Sequence, residues 1–512
     1  MLEEDLYPEL TPDREAAEFE RLKPLLAEHW SSMSLTEEKT YTSVVVPSIS
    51  LDAGELKKID GVSFYEERLL FMLIRLRNPR ARLVYVTSQP VHPLVLEYYF
   101  QLLAGIPTSH ARARLTLLCT YDASPRPLTE KILERPRLVE RIRAGIPDPT
   151  AAHLTVFNST PLERKLAVLL GIPLDGCDPA LVHLGTKSGG RRVFREAGVP
   201  LPAGFEEIYT RRDMAEALVE LRKQRPGLRR AVLKLNESFA GEGNGLFRYP
   251  ADQSVAAVED SLSFLEFPVP EETTATFMEK ASRMGSIVEE YLEGEEKRSP
   301  SAQYRIDPRG VVQPVSTHEQ ILGGPGNLLF LGARFPAEEP YRLAIQEAGH
   351  RVGEVLSRKG VIGRYGVDFI VRRGGEGGDW ELFAVEINLR KGGTTHPFLA
   401  LQFLTLGQID PRSGTFVSGT GHPKFYRATD SLRSHRYRGL LPEDLIEILT
   451  ANGLHYSPGT ETGVLFHMFG ALSQYGKLGM TAIGNSREEA ETLFEETLSI
   501  LDREALLRRS LR

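Results

Sequence analysis

Apolar and polar residues follow two different rhythms along this chain, and the rhythm changes near residue 180. In the first part, short apolar runs at Ser43–Val46, Arg82–Thr87, Leu115–Thr120 and His153–Phe157 read as strands. Between them, Phe64–Arg77, His92–Ala104, Thr129–Arg143 and Leu162–Leu170 carry apolar side chains at helical spacing. Strands separated by helices of this length predict a doubly wound α/β region, a parallel sheet with helices on both faces. An amphipathic helix over Asp13–Ser31 precedes it, and it closes near Pro173–Pro179.

Beyond Ala180 the pattern predicts long helices at Arg212–Gln224 and Tyr341–Lys359. Strands are predicted at Ala231–Leu235, Leu246–Tyr249, Ser286–Leu292, Gln303–Ile306, Tyr365–Val371 and Trp380–Asn388. The glycine-rich connection Arg372–Asp379 points to antiparallel hairpin pairing. A Gly/Pro segment at Gly419–Pro423 marks a further boundary. After it come strands at Lys424–Ala428, Gly463–Phe469 and Gly479–Ile483 and helices at Glu443–Ala451 and Arg487–Leu501, a small α+β module. The expected units are an N-terminal helical arm (1–40), an α/β domain (41–179), a central domain (180–421) and a C-terminal α+β domain (422–512). The fold class is thus α/β and α+β.

Composition narrows the function. The 512 residues suggest about three domains at about 150 residues each. With 62 Lys and Arg against 69 Asp and Glu, the net charge of −7 lacks the basic excess of a nucleic-acid binder. Apolar runs such as Leu69–Ile74 fall far short of the roughly 20 residues of a membrane helix. The opening Met-Leu-Glu-Glu-Asp is unlike a secretory signal. With only Cys119 and Cys177, no disulfide framework or cysteine metal cluster is expected. The expectation is a cytoplasmic protein with neither nucleic acid nor membrane as a partner; a homodimer is compatible with it.

The chemistry concentrates in Tyr365–Pro397. Asp368 interrupts a strand of Val, Phe and Ile, where Asp is depleted. Glu386, Asn388 and Arg390 follow at two-residue steps, so they share one face of the next strand. A hairpin centred near Gly377 would set Asp368 opposite Glu386. Two carboxylates and an amide oxygen suit Mg²⁺, with Mn²⁺ as an alternative. The plainer alternative is an outward polar stripe on a half-buried sheet. In Ala231–Gly245, Lys234 sits in an apolar strand that runs into a loop holding Gly241, Gly243 and Gly245. Glycines admit close approach of backbone N–H groups to a polyphosphate, and the lysine supplies a compact charge. The Lys precedes the glycines, so this is neither a Walker loop nor a Rossmann fingerprint. A third feature, Ile287–Glu296, ends a strand in Glu289, Glu290, Tyr291 and Leu292, turns at Gly294 and presents Glu295 and Glu296.

The order Lys187, Lys234 with its glycine loop, the acidic strand end, Asp368 and Glu-x-Asn-x-Arg resembles the ATP-grasp superfamily. The resemblance implies a doubly wound pre-grasp domain followed by a grasp domain whose two antiparallel sheets enclose the nucleotide. It implies that Lys187 and Lys234 contact ATP phosphates and that Ser238–Gly245 covers them. The strand end around Glu289, Glu290, Tyr291 and Leu292 would meet the adenine edge, and Glu296 the ribose hydroxyls. Asp368, Glu386 and Asn388 would carry Mg²⁺, as the matching residues do in D-alanine–D-alanine ligase and biotin carboxylase, and Arg390 would face the transferring phosphoryl group. From about Tyr41 to Arg503 the chain is also similar to the pheganomycin-type peptide ligases. The stretches that carry this are FNSTPLERKLAVLLGIPLDGCDP, LGTKSGGRRVFREAGVPLPAG, STHEQILGGPGNLLFLGARFP and LLPEDLIEILTANGLHYSPGTETGVLFHMFGAL.

The resulting expectation is an ATP-dependent carboxylate–amine ligase. It joins a small carboxylate donor to an amino acid or peptide amine through an acyl phosphate, with release of ADP. The rivals are an ATP-grasp kinase or acyl–thiol ligase, and a non-catalytic nucleotide-binding regulator. His318, Glu319 and Gln320, at a strand end before a glycine-rich loop, are candidates to touch the carboxylate substrate, with a polar loop anchor as the alternative. His396 either positions substrate or caps a helix.

Overall fold

The first five strands are β1 (Tyr41–Val46), β2 (Ala81–Thr87), β3 (Leu115–Cys119), β4 (Ala152–Val156) and β5 (Leu174–Asp175). They pair in parallel in the order β3-β2-β1-β4-β5. Every residue of the central β1 is buried, as a sheet covered on both faces requires. The computed structural model describes residues 6–28, 30, 40–238, 243–268, 272–324, 329–374 and 378–510. The N-terminal helix spans Pro12–Glu28 and docks through Phe19, Leu22 and Leu26, with Lys23 paired to Asp178 and Arg164 to Glu15.

Two helices of this region differ from the sequence reading. The expected helix Thr129–Arg143 is two helices, Leu128–Leu133 and Pro136–Ala144. Pro136 has no N–H and forces the preceding residue out of the helical region; Arg135 sits at φ −126°, ψ 76°. The segment Val62–Arg77 is helical as expected but closes 3₁₀ turns along its whole length. Such helices are normally short. This one is buried on all sides from Tyr65 to Leu76, so packing, not propensity, holds it.

A second sheet holds β6 (Gly204–Ile208), β7 (Arg230–Leu235), β8 (Asn244–Arg248) and β9 (Ser286–Glu290) in the antiparallel order β6-β9-β7-β8. Its core of Leu218, Leu233, Phe247 and Phe277 lies under the helices Arg211–Gln224 and Thr274–Met284.

Among the described residues the third sheet has eleven strands. They are β10 (Glu296–Arg298), β11 (Pro300–Ile306), β12 (Val312–Gly323), β13 (Leu329–Phe335), β14 (Gly363–Arg373), β15 (Glu381–Asn388), β16 (Gln408–Asp410), β17 (Thr415–Val417), β18 (Pro423–Arg433), β19 (Gly463–His467) and β20 (Lys477–Gly484). Its backbone order is β10-β14-β11-β12-β13-β18-β17-β16, with β15 on β14 and β20 on β18 and β19. The helix Glu339–Arg358 lies against β11 and β14, where the rings of Tyr304 and Tyr365 stack 5.2 Å apart. Gly353 permits that approach, since a Cβ there would come within 1.9 Å of the Tyr365 hydroxyl.

The C-terminal strands and helices occur as read from the sequence, and β18 hydrogen-bonds directly to β13. Gly419–Pro423 is the turn region between β17 and β18. Leu70, Tyr98, Phe398, Tyr426, Phe466 and Leu501 belong to a single core, so residues 423–510 pack on the first α/β region as well. Among the described residues, no helix is long and apolar enough to cross a membrane.

Candidate active site

The site starts from a two-strand register. β14 and β15 pair antiparallel with Asp368 opposite Glu386 and Gly366 opposite Asn388, as the hairpin arithmetic required. The turn residues 375–377 lie outside the described residues. Ile387 and Leu389 point into the core, which turns Glu386, Asn388 and Arg390 to the other face. A bulge after Asp368 shifts the pairing by one residue and confines this alignment to the end of the hairpin that carries the chemistry.

Gln320 Nε2 donates to Asp368 Oδ1 at 2.7 Å, and Asn388 Nδ2 to Oδ2 at 3.1 Å. Lys187 Nζ lies 2.8 Å from Glu386 Oε1. Burial and then the charge of Glu386 push the Asp368 carboxyl up to about 7. Burial also works against ionised Glu386, but Lys187, Arg390 and Lys234 outweigh it and hold that carboxyl below its ordinary value. Two half-buried carboxylates that face each other and resist joint ionisation fit a hard divalent cation, which removes the repulsion. Turning the Asn388 amide offers its oxygen to the same point.

Lys187 opens the helix Lys187–Glu196, capped by Thr186, whose hydroxyl accepts from the Gly189 N–H at 3.0 Å. Asn236, after β7, ties this helix to the second sheet. Its carbonyl accepts from Lys187 N at 3.1 Å, its Oδ1 from Ser188 N at 2.9 Å, and its Nδ2 donates to the Met284 carbonyl. Lys234, on β7, is buried and ion-paired to Glu289, whose other oxygen meets Arg191 Nη1 at 3.2 Å. Asn236 and Arg191 were not singled out from the sequence. The glycine loop begins at Ser238 and ends at Gly243, where a Cβ would come within 2.5 Å of the Ser238 side chain. Gly241, an expected loop contact, lies outside the described residues.

The strand end expected to meet the nucleotide base is partly committed internally. Glu289 serves the Lys234–Arg191 network, and Glu290 accepts from the Ala203 N–H at 2.8 Å. Leu292 is buried, and the Tyr291 ring lies between the Arg230 guanidinium and the Lys297 ammonium at 4.0 and 4.1 Å. Glu296 pairs with Arg298 on its own strand and with Arg373 across the β10–β14 ladder.

Lys234→Ala is expected to weaken Mg-ADP binding, measured by calorimetry, by about tenfold or more, about 1.4 kcal/mol for each factor of ten. Unchanged affinity would leave Lys234 as the structural partner of Glu289.

Of the residues expected to touch the substrate, only Gln320 reaches this site. They do not end a strand: β12 runs on to Gly323, and strand alternation turns His318 and Gln320 to one side and Glu319 to the other. His318 is completely buried, hydrogen-bonded to the Tyr426 hydroxyl and packed on Phe335. Glu319 bonds the Tyr341 hydroxyl at 2.6 Å. His396 is inside the helix Thr395–Thr405, whose N-cap is Thr394, so it is not a cap. Its Nε2 lies 3.1 Å from Asp430 Oδ1, the oxygen that also meets His467 Nε2 at 2.8 Å. Arg68 Nη1 holds Asp430 Oδ2 at 3.1 Å. These four buried groups form a charge-balanced cluster beside the site, and Arg68, Asp430 and His467 carry no signal of it in the linear sequence.

Burial pulls His318 from its ordinary 6.5 down to about 3. The unfolded chain therefore binds this proton first. Stability is intact above pH 6.5 and falls as the pH drops toward 3, with a slope of about 1.4 kcal/mol per pH unit for one histidine. His318→Gln is expected to flatten the pH dependence of urea unfolding between about pH 6 and pH 4 by that slope. An unaltered slope would assign the acid sensitivity to other groups.

Two antiparallel sheets, Lys234 on a strand of one, Lys187 paired to a strand of the other and an opposed carboxylate pair define an ATP-grasp enzyme. The family profile "IQCH-like, ATP-grasp" matches residues 179–248 and 270–412, and "PGM1 C-terminal domain" matches residues 444–497. L-propargylglycine–L-glutamate ligase of Streptantibioticus cattleyicolor is 33% identical over 457 residues, 88% of this chain and 92% of that protein. IQ motif-containing protein H of Danio rerio is 23% identical, and the match covers 96% of this chain and 51% of that protein. Among solved structures, biotin carboxylase of Campylobacter jejuni aligns with a TM-score of 0.54 at 12% identity over 92% of each chain. The biotin carboxylase domain of Hydrogenobacter thermophilus 2-oxoglutarate carboxylase aligns with a TM-score of 0.55 at 13% identity over 90% of each chain. These two likenesses are of fold. The chain belongs to the family of ATP-grasp carboxylate–amine ligases that includes L-propargylglycine–L-glutamate ligase.

Proposed function

We propose that this ligase activates a small carboxylate as an acyl phosphate and passes it to the amine of an amino acid or short peptide. The observation that carries the reading is the opposition of Asp368 and Glu386, with Lys187 on Glu386 and Arg390 along the same face. Asp368, Glu386 and Asn388 are the proposed Mg²⁺ ligands, and the ion neutralises phosphate charge when bound. Lys187 and Lys234 are assigned to phosphate oxygens, and the segment Ser238–Gly245 is assigned to covering them. Glu290, Tyr291 and Leu292 are assigned to the adenine edge. Glu296 would have to leave Arg298 and Arg373 to reach a ribose, which weighs against that role.

In the first step a donor carboxylate oxygen attacks the γ-phosphorus and the bond to ADP breaks. Lys187, Lys234 and Arg390 offset the charge spread over the transferring group. In the second step the amine attacks the acyl carbon, inorganic phosphate leaves with the donor oxygen, and the nitrogen loses a proton. The protein contributes positioning and a site that keeps water from the acyl phosphate. The relative that joins L-propargylglycine to L-glutamate supports an amino acid on both sides of the new bond. ATP as co-substrate supports the cytoplasm as the working compartment, and the units 1–40, 41–179, 180–421 and 422–512 stand as the proposed division.

Donor carboxylate labelled with heavy oxygen is expected to yield labelled inorganic phosphate together with ADP and an amide. AMP and pyrophosphate, with the label in AMP, would establish adenylation and overturn the acyl-phosphate route. A screen of paired amino acids and short peptides for ADP release supplies the substrates for this experiment.

A further inference from the structure

The metal carboxylates are one end of a row. Gly366 and Arg364 follow Asp368 on the same face of β14, as Asn388 and Arg390 follow Glu386 on β15 and just beyond it. Each two-residue step advances about 7 Å, which sets Arg364 about 13 Å from Asp368 along the strand. There the third sheet meets the C-terminal ends of β4 and β5, where ligands of doubly wound sheets commonly lie. A small open pocket lies at this junction, lined by Arg364, Arg390, Lys391, Asp175 and Ser159 among others.

Three cationic side chains and one carboxylate thus share the pocket. Asp175 is already engaged by Arg305 at 2.6 Å, and Lys391 donates to the Val156 carbonyl. Arg364 is different: among the described residues its guanidinium makes no hydrogen bond or ion pair, and it senses Asp175, Arg305 and Arg75 only at longer range. Burial, and then the like charge of Arg305, pull its guanidinium down to about 9. A half-buried guanidinium with five donors, no acceptor and no partner is left to be completed by an anion. Guanidinium and carboxylate match as a planar, two-bond pair.

We propose that Arg364 binds the free carboxylate of the amine-bearing substrate, so that the acceptor is an α-amino acid or a peptide recognised by its carboxylate. Arg390, at the same level on the facing strand but under the charges of Glu386 and Asp368, stays with the donor carboxylate and its phosphoryl group. The acceptor's carboxylate end is fixed at Arg364, and its amine points back along the row toward Asn388 and Asp368. The inference rests on the ligase reading and adds to it what the second substrate must carry.

The test is calorimetry on the full chain with Mg-ADP present, using the twenty common L-amino acids and their α-amides as probes. At least one amino acid is expected to bind at least tenfold tighter than its amide. Arg364→Gln should remove that preference, Arg364→Lys should restore part of it, and both variants should keep wild-type affinity for Mg-ADP, which also reports that they are folded. Equal binding of acids and amides, unaltered amino-acid binding in Arg364→Gln, or no amino-acid binding at all would overturn the subsite. The ligase reading fails on a different result, the absence of Mg-ADP binding in the wild-type chain.

Discussion

Glu386→Gln is expected to lower ADP release by at least about a hundredfold, about 2.7 kcal/mol of transition-state stabilisation, while the fold survives. The amide keeps the volume of the side chain, and the β14–β15 ladder that positions it is made by backbone groups. What disappears is one of two opposed carboxylates, the partner of Lys187 at 2.8 Å. On the proposed assignment a single acidic ligand would hold the cation less tightly, and Lys187 would lose the group that aims it. The loss should fall mainly on kcat at saturating ATP, because the missing charge matters most when phosphoryl charge is redistributed. An unchanged thermal midpoint with this loss supports the assignment. Turnover within about threefold of wild type, well under 1 kcal/mol, would remove Glu386 from the metal site.

The second large effect is expected on stability. Asp430→Ala should cost about 3–5 kcal/mol in urea unfolding, because it strips a buried arginine and two imidazoles of one shared partner. Arg68 is stacked between the rings of Tyr65 and Phe157 at 4.6 and 4.5 Å and has no route to water without unpacking them. Burial opposes the ionised Asp430, yet His396 and His467 hold its carboxyl well below the ordinary carboxylate range. A carboxyl with a depressed folded-state pKa contributes its stability above its unfolded value, near 4, and loses it as the pH falls further. The gap between wild type and Asp430→Ala should therefore narrow in acid. A cost below about 1 kcal/mol at neutral pH would mean that the cluster relaxes or admits water.

Asp430 also marks the limit of what a linear reading sees. The facing of Asp368 and Glu386 was legible because one short hairpin carries both, and its alternation admits only one phase with the apolar residues inside. The parallel sheet was legible in the same way, from strands and helices that follow one another directly. Lys234 was legible as a strand lysine before glycines, but not its pairing with Glu289. Its face follows from the two-residue period; which strand lies alongside is decided by β9 returning after the intervening helices.

The sequence by itself thus determined the α/β opening, the two-strand carboxylate row and the kind of chemistry written on it. Each depends on neighbours within one hairpin or one strand–helix unit, where covalent proximity fixes the partner. Only the tertiary structure decided that His318 and Glu319 are core groups, that His396 meets Asp430, and that Arg364 opens into a pocket with Asp175 and Lys391. It also decided that the helix from Val62 winds as 3₁₀ and that β18 joins the sheet of the central region. These outcomes depend on which surfaces are buried together by segments far apart in sequence. Side-chain type and period set how much a residue gains from burial or pairing, but not which distant group it meets.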